Sequence, residues 1–298
     1  MCTAARRSVQ YLIVIWPFVL LMGAAALVSL SILRFHRAGA EQARELLSAA
    51  GRTITQTAAN DLLVEDDIAS LPTPVQRWLR ASGVMGQPRA RTVRLRQRGL
   101  MRTTPGGAGM PVKATQYFSI PSPGFVWLAD VRMFQVIPIV GRDCLINGRG
   151  RMQIALGGLI PVADGIGPAF DQGTALRFLG EIVWFPSAAA SPAIRWRAID
   201  EHSAAATLTA RDVEVTATFT FDAHGRFIHL AADRAFNGGA LERWEIPATA
   251  WRTVRGIEIP VRGGAIWKLA AGDFSYYDWE ITDVETNRPS LWGEDPSY

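Results

Sequence analysis

From Arg91 onward the chain repeats one pattern: a short stretch alternating apolar and polar residues, followed by a turn. "RTVRLRQRGLMR" sets Val93 and Leu95 against Arg94, Arg96 and Arg98, the period of two expected of a half-buried strand. "PGGAG" turns it into "VKATQYFSI", and "PSPG" leads into "FVWLADVRM". "IPIVGRDCLI" and "RGRMQIAL" flank Asn147-Gly148, a strong two-residue hairpin signal. Past residue 190 the pattern resumes in "AIRWRAID", "SAAATLTA", "VEVTATFTF", "GRFIHLAADR", "LERWEIPATAWRTV", "IEIPVRGGAIWKL" and "FSYYDWEITDV". About eleven short strands, nearly all joined by hairpins, predict an antiparallel sheet in an α+β protein and exclude a βαβ architecture. A sheet of that size curves strongly, and its concave face must be covered by helices.

One helix suited to that role interrupts the strands. "FDQGTALRFLGEIVWFP", Phe170–Pro186, puts Leu176, Leu179 and Val183 on one face with Phe178, Ile182 and Phe185 beside them. That apolar arc is wider than ~100°, which predicts burial against a sheet. Asp171 is placed to cap the helix start, Arg177 and Glu181 are four apart and can pair, and Pro186 ends the helix. "LPTPVQRWLRAS" predicts a second, shorter helix, with Thr73 as N-cap and Pro74 in the first turn.

"YLIVIWPFVLLMGAAALVSLSIL", Tyr11–Leu33, carries no charge. As a helix at ~1.5 Å per residue it rises about 34 Å, enough for a hydrocarbon core of ~30 Å. Tyr11 and Trp16 near one end suit a membrane interface. A signal peptide would have an apolar core of only ~7–15 residues and a small-residue cleavage site. Here Arg34, His36 and Arg37 follow at once, so an uncleaved anchor is expected. The expected organisation is a tail at 1–10, a transmembrane helix at 11–33, a polar helical linker at 34–70, the sheet domain at 71–284 and a tail at 285–298. A single-pass membrane protein follows. A short tail before the anchor favours an extracytoplasmic domain, while arginines after the span lean the other way. Cys2 and Cys144 lie on either side of the span, so no disulfide staples the main domain.

The net charge is +4, and of 31 basic residues only Lys113 and Lys268 are lysines. Such an excess does not call for nucleic acid. Arg89, Arg91, Arg94, Arg96, Arg98 and Arg102 cluster without interleaved aromatics, which also argues against nucleic acid. Arg94, Arg96 and Arg98 share one strand face and suit an anionic lipid headgroup; a solvated outer face is the simpler alternative. No G-x-S-x-G, H-E-x-x-H or phosphate-loop pattern occurs. Four histidines and one distant cysteine predict no metal site, and no cofactor is expected. The ten tryptophans are mostly core material. Alternatively Phe125, Trp127 and Trp267 line an apolar ligand cavity.

"LPTPVQRWLR", "VRLRQRG", "QYFSIPSPGFVWLADVRM", "NGRGRM" and "DQGTALRFLGEIVWFP" resemble, in order over about Leu71–Val284, a bacterial family of unknown function. The likeness to that family implies a bacterial cytoplasmic membrane for the anchor. A looser, fold-level similarity is to periplasmic lipoprotein-carrier and lipoprotein-receptor half-barrels, which hold acyl chains between a curved sheet and its helices. That resemblance implies Trp127, Phe178, Leu179 and Trp184 as cavity-lining candidates, with Ile182 on the same helix. The expected function is therefore a membrane-tethered, non-enzymatic binding domain for a lipid or other acyl-type ligand. Its partners would be membrane lipid or an acylated protein. The alternatives are an enzyme using Asp164, Asp171, Glu181 or His229 at the sheet's mouth, and a structural domain without ligand.

Overall fold

The structure, a computed structural model, describes residues 2–52 and 61–294, with side chains of the first helix from Phe18. Tyr11 and Trp16 lie outside the described side chains. Helix α1 (Cys2–Arg52) is followed by α2 (Glu65–Ile68) and α3 (Thr73–Ala81). Six strands then form a meander: β1 (Thr92–Met101), β2 (Met110–Ser119), β3 (Gly124–Met133), β4 (Ile137–Ile146), β5 (Arg149–Leu156) and β6 (Ile160–Ile166). After α4 (Pro168–Glu181) come β7 (Ile194–Ala198), β8 (Ser203–Ala210), β9 (Val213–Phe221), β10 (Phe227–Ala235), β11 (Leu241–Val254), β12 (Ile257–Leu269) and β13 (Gly272–Thr286).

All thirteen strands belong to one antiparallel sheet, ordered β6-β5-β4-β3-β2-β1-β13-β12-β11-β10-β9-β8-β7. The first meander runs outward from the centre to β6. Helix α4 then carries the chain to the far edge, and the second meander returns until β13 pairs with β1, as in Leu95 opposite Val284. Flat, β5 and β9 would lie more than about 40 Å apart at ~4.8 Å per strand. Helix α4 nevertheless touches both, which requires the sheet to curl around it into a half-barrel. The curl brings the β4–β5 turn to the β8–β9 turn, where a Cβ built at Gly148 would lie 2.6 Å from the Ala210 carbonyl oxygen.

The thirteen strands exceed the expected eleven or so, and the one with no counterpart among the stretches named from sequence is β6, where Pro161 interrupts the alternation and the β5–β6 register shifts beside Ala155. The Asn147-Gly148 turn has the two positive φ angles, 52° and 72°, that this hairpin needs. The N-cap of α3 is Pro72 rather than Thr73, one residue earlier than expected.

Helices α3 and α4 fill the concave face. Phe178 and Phe185 meet Phe118 with ring centroids 6.2 Å and 4.8 Å apart, and Trp78 of α3 stacks on Phe221 at 5.5 Å. On the convex face Ala43, Leu47, Tyr117, Val126, Leu128, Cys144 and Leu291 form a separate apolar cluster. Its helical members show that α1 continues past its apolar run and docks on β2–β4 from outside. Beyond β13 the chain crosses the same face, where Arg44 Nη2 donates to Glu294 at 2.5 Å.

Candidate functional site

Because β1–β4 alternate, each sends one set of side chains to the concave face and another to the convex face. The concave set includes Gln97, Gln116, Trp127 and Asp143; the convex set includes Arg94, Arg96, Lys113, Leu128 and Asp130. The two sets differ in how their charges are paired.

On the concave side most of the charged and amide groups pair with one another. Arg177 of α4 donates from Nε to Glu181 at 2.8 Å and from Nη1 to Asp143 at 2.7 Å. Gln116 donates to the second Glu181 oxygen at 2.7 Å, Gln97 donates to Gln116 at 3.0 Å, and Tyr277 donates to Gln97 at 2.8 Å. The Arg177 guanidinium also lies over Phe125 and Trp127, 5.0 and 4.8 Å from the ring centroids. Burial works against the Arg177 charge, but Glu181 and Asp143 outweigh it and its pKa rises. Burial likewise lifts Glu181 above the ordinary carboxylate value, and Arg177 and Gln116 pull it only part of the way back. Trp127 Nε1, Trp184 Nε1 and Asp143 Oδ1 are buried with no hydrogen-bond partner among the described residues.

The seven cavity candidates are placed in this interior. Phe125, Trp127, Phe178, Leu179, Ile182, Trp184 and Trp267 all belong to one continuous buried cluster, each at most 7% exposed. Trp267 sits apart from the rest of the set, against Phe236 at the other end of α4. Asp171 does not cap its helix. It accepts from the Gly150 amide at 2.6 Å and from Arg149 at 2.9 Å, tying α4 to β5. This close seat needs a glycine, since a Cβ at Gly150 would lie 2.3 Å from the Phe170 carbonyl oxygen.

The four residues of the enzymatic alternative are not brought together. Asp164 pairs with Arg151 at the sheet edge, and His229 faces Glu245 at 3.4 Å. Asp171 and Glu181 are ten residues apart on one helix, about 15 Å along its axis. No cluster of three metal-ligating side chains occurs among the described residues.

On the convex side a groove of ≈ 370 Å³ opens between α1 and β1–β3. It is lined by His36, Arg96, Arg98, Lys113 and Asp130, with Leu128 and Thr115 between them. That volume lies within the ~300–1,000 Å³ of small-molecule sites. Of the three arginines read as headgroup candidates, two have carboxylate partners. Arg94 is buried, donating to Glu285 at 2.8 Å and to the Leu291 carbonyl at 3.1 Å. Arg98 is held by Glu280 at 2.9 Å. Arg96 instead stacks on Trp292, 4.2 Å from the ring centroid, and has no carboxylate partner among the described residues. Lys113, exposed and opposite Arg98 in the register, has none either. Asp130 is engaged by His36 at 3.0 Å. Lys113 and His36 were missed from sequence. The symmetric "PGGAG" hairpin was the available signal for Lys113, because it sets Arg98 against that residue.

A curled antiparallel half-barrel with two inner helices and a long apolar N-terminal helix defines the class of this protein. The chain belongs to a family of unknown function, DUF6544, whose model matches residues 61–279. No curated protein matches it. Among solved structures it is similar to a DUF1329 family protein from Desulfovibrio piger, at 10% identity and a TM-score of 0.40, covering 73% of this chain and 94% of that one. It is also similar to a β-barrel-like protein of domain DUF1849 from Brucella abortus, at 10% identity and a TM-score of 0.27, covering 67% and 99%. The apolar stretch of α1 from Phe18 is a candidate membrane span or signal sequence.

Proposed function

We propose that this protein is a membrane-tethered, non-enzymatic binding domain that takes the anionic headgroup of a lipid in the groove between α1 and the convex face. The observation that carries this reading is the position of two cations without carboxylate partners, Arg96 and Lys113, in a groove walled by His36. His36 lies three residues past Leu33, the end of the uncharged run. The ligand's phosphate sits between Arg96 and Lys113, and its acyl part runs down α1 toward the bilayer. The filled concave face supports the outer location, because its apolar residues hold the fold.

Retention of α1 as an anchor is supported by packing within the apolar run itself. Val28 and Ile32 lie against the β5–β6 turn, so cleavage after the run would remove a segment that contacts the domain. We place the protein as a single pass in the bacterial cytoplasmic membrane, with the half-barrel on the extracytoplasmic side. Protease access in spheroplasts against inverted vesicles reads that side directly.

The groove is tested with the full chain in detergent, titrated with short-chain phosphatidylglycerol and followed by tryptophan emission. The signal should vanish in Trp292→Phe, since Trp292 covers Arg96. At about 1 kcal/mol per basic side chain, Arg96→Glu with Lys113→Glu should weaken binding about 30-fold. Phosphatidylcholine and inorganic phosphate serve as separate arms. Equal binding of phosphate alone points to a free anion, and unchanged affinity in the double variant refutes the site. A structural domain without ligand would answer none of the titrations.

A further inference from the structure

The docked stripe of α1 starts before the apolar run ends. Val28, Ser31, Ile32, Phe35 and His36 are partly covered, while Leu27, Leu30 and Leu33 on the other side are exposed. What covers Val28–Ile32 is the β5–β6 turn. A Cβ built at Gly158 would lie 2.6 Å from the Ile32 amide nitrogen, and one at Gly157 would lie 3.4 Å from Val28. The β3–β4 turn is beside it, joined through the Gly157 amide to the Pro138 carbonyl at 2.7 Å.

These two hairpin tips are unusually apolar. Neither "MFQVIPIV" nor "IALGGLIPVA" contains a charge, whereas the turns Asp200–His202 and Asp222–His224 are polar. Among the described residues outside α1, twelve large apolar side chains are exposed, and half of them are here: Phe134, Val136, Ile137, Leu159, Ile160 and Val162. Phe134 is 79% exposed and has a φ of 50°, a conformation a bulky residue rarely adopts. Neither local preference nor packing within the protein accounts for it.

The helix fixes the height of this patch. Val28 is five residues before Leu33, about 7.5 Å along the axis at ~1.5 Å per residue. Peripheral elements that lie in a membrane interface bury their apolar faces by about 5–10 Å. Arg34 and Arg37 follow the apolar run directly, where cations meet lipid phosphates.

We infer that the β3–β4 and β5–β6 tips insert into the leaflet from which α1 emerges, so that the half-barrel rests on the bilayer by three elements. This inference rests on α1 being a retained anchor. It gives the half-barrel one orientation and sets the Arg96–Lys113 groove at headgroup height, open to lipids from the side.

The test uses the full chain in phosphatidylcholine–phosphatidylglycerol vesicles, with Cys2→Ser and an environment-sensitive fluorophore on single introduced cysteines. Val136→Cys and Ile160→Cys report the tips, and both positions are exposed, so labelling need not disturb the core. Leu27→Cys reports the anchor. Asp212→Cys, in the β8–β9 turn that meets the opposite end of β4 and β5, reports water. Nitroxide-labelled lipids should quench positions 27, 136 and 160 and spare 212, with blue-shifted emission at the tips. If 136 and 160 behave like 212 while 27 is quenched, the anchor stands and tip insertion is refuted. If 27 is also spared, the anchor reading fails and takes the insertion with it.

Discussion

The two faces of β1–β4 are made by the same strands and end in different states. On the concave face Arg177, Glu181, Asp143, Gln116, Gln97 and Tyr277 close a hydrogen-bonded chain among rings. On the convex face Arg96 and Lys113 stay without carboxylates beside an open groove. Burial explains the contrast. A charge taken out of water must be paired or it costs several kcal/mol, whereas a charge at a wet surface is free to wait for a partner.

The contrast is sharpened most by Arg177→Leu. That change leaves Glu181 and Asp143 buried without their cation and should cost about 3–5 kcal/mol in urea unfolding, a loss typical of breaking one side of a buried pair. Phe178→Ala opens a cavity beside Phe118 and Phe185 and should cost a comparable ~3–5 kcal/mol, with lipid affinity unchanged in the folded protein. A loss of lipid affinity in that variant would move the ligand back to the interior. On the other face, Arg96→Glu with Lys113→Glu should change stability by no more than about 0.5 kcal/mol for each exposed site, while abolishing most headgroup affinity.

The smallest expected effect is at the rim. Asp67 accepts from the Val64 amide, aided by Arg89, and its pKa is held below the ordinary carboxylate value of about 3.9. It therefore stabilises the fold above that value and loses this contribution as pH falls through the depressed one. Asp67→Asn should flatten the acid limb of a melting-temperature profile below about pH 4. A profile that keeps its slope would show that the contact contributes nothing.

The sheet was legible because alternation is local, and so was the common face of Arg94, Arg96 and Arg98. Their different fates were not. Whether Arg94 meets Glu285 and Arg98 meets Glu280 is set by a register between β1 and β13, about 190 residues apart in sequence. Asp171 was misassigned as a cap for a similar reason, since its partner Gly150 is supplied by tertiary packing. Strand β6 escaped notice because Pro161 and the β5–β6 irregularity break the period. The docking of α1 had a signal that went unused: Ala43, Leu47 and Ala50 recur at helical spacing in a segment read only as a linker.

The most direct measurement is native mass spectrometry of the full chain released from bacterial membranes, with extraction of whatever remains bound, for the wild type and for R96E/K113E. An anionic lipid carried by the wild type and absent from the variant is the predicted result. A lipid retained by both, or a wild type that emerges with none under conditions that preserve the fold, would contradict a headgroup site on the convex face.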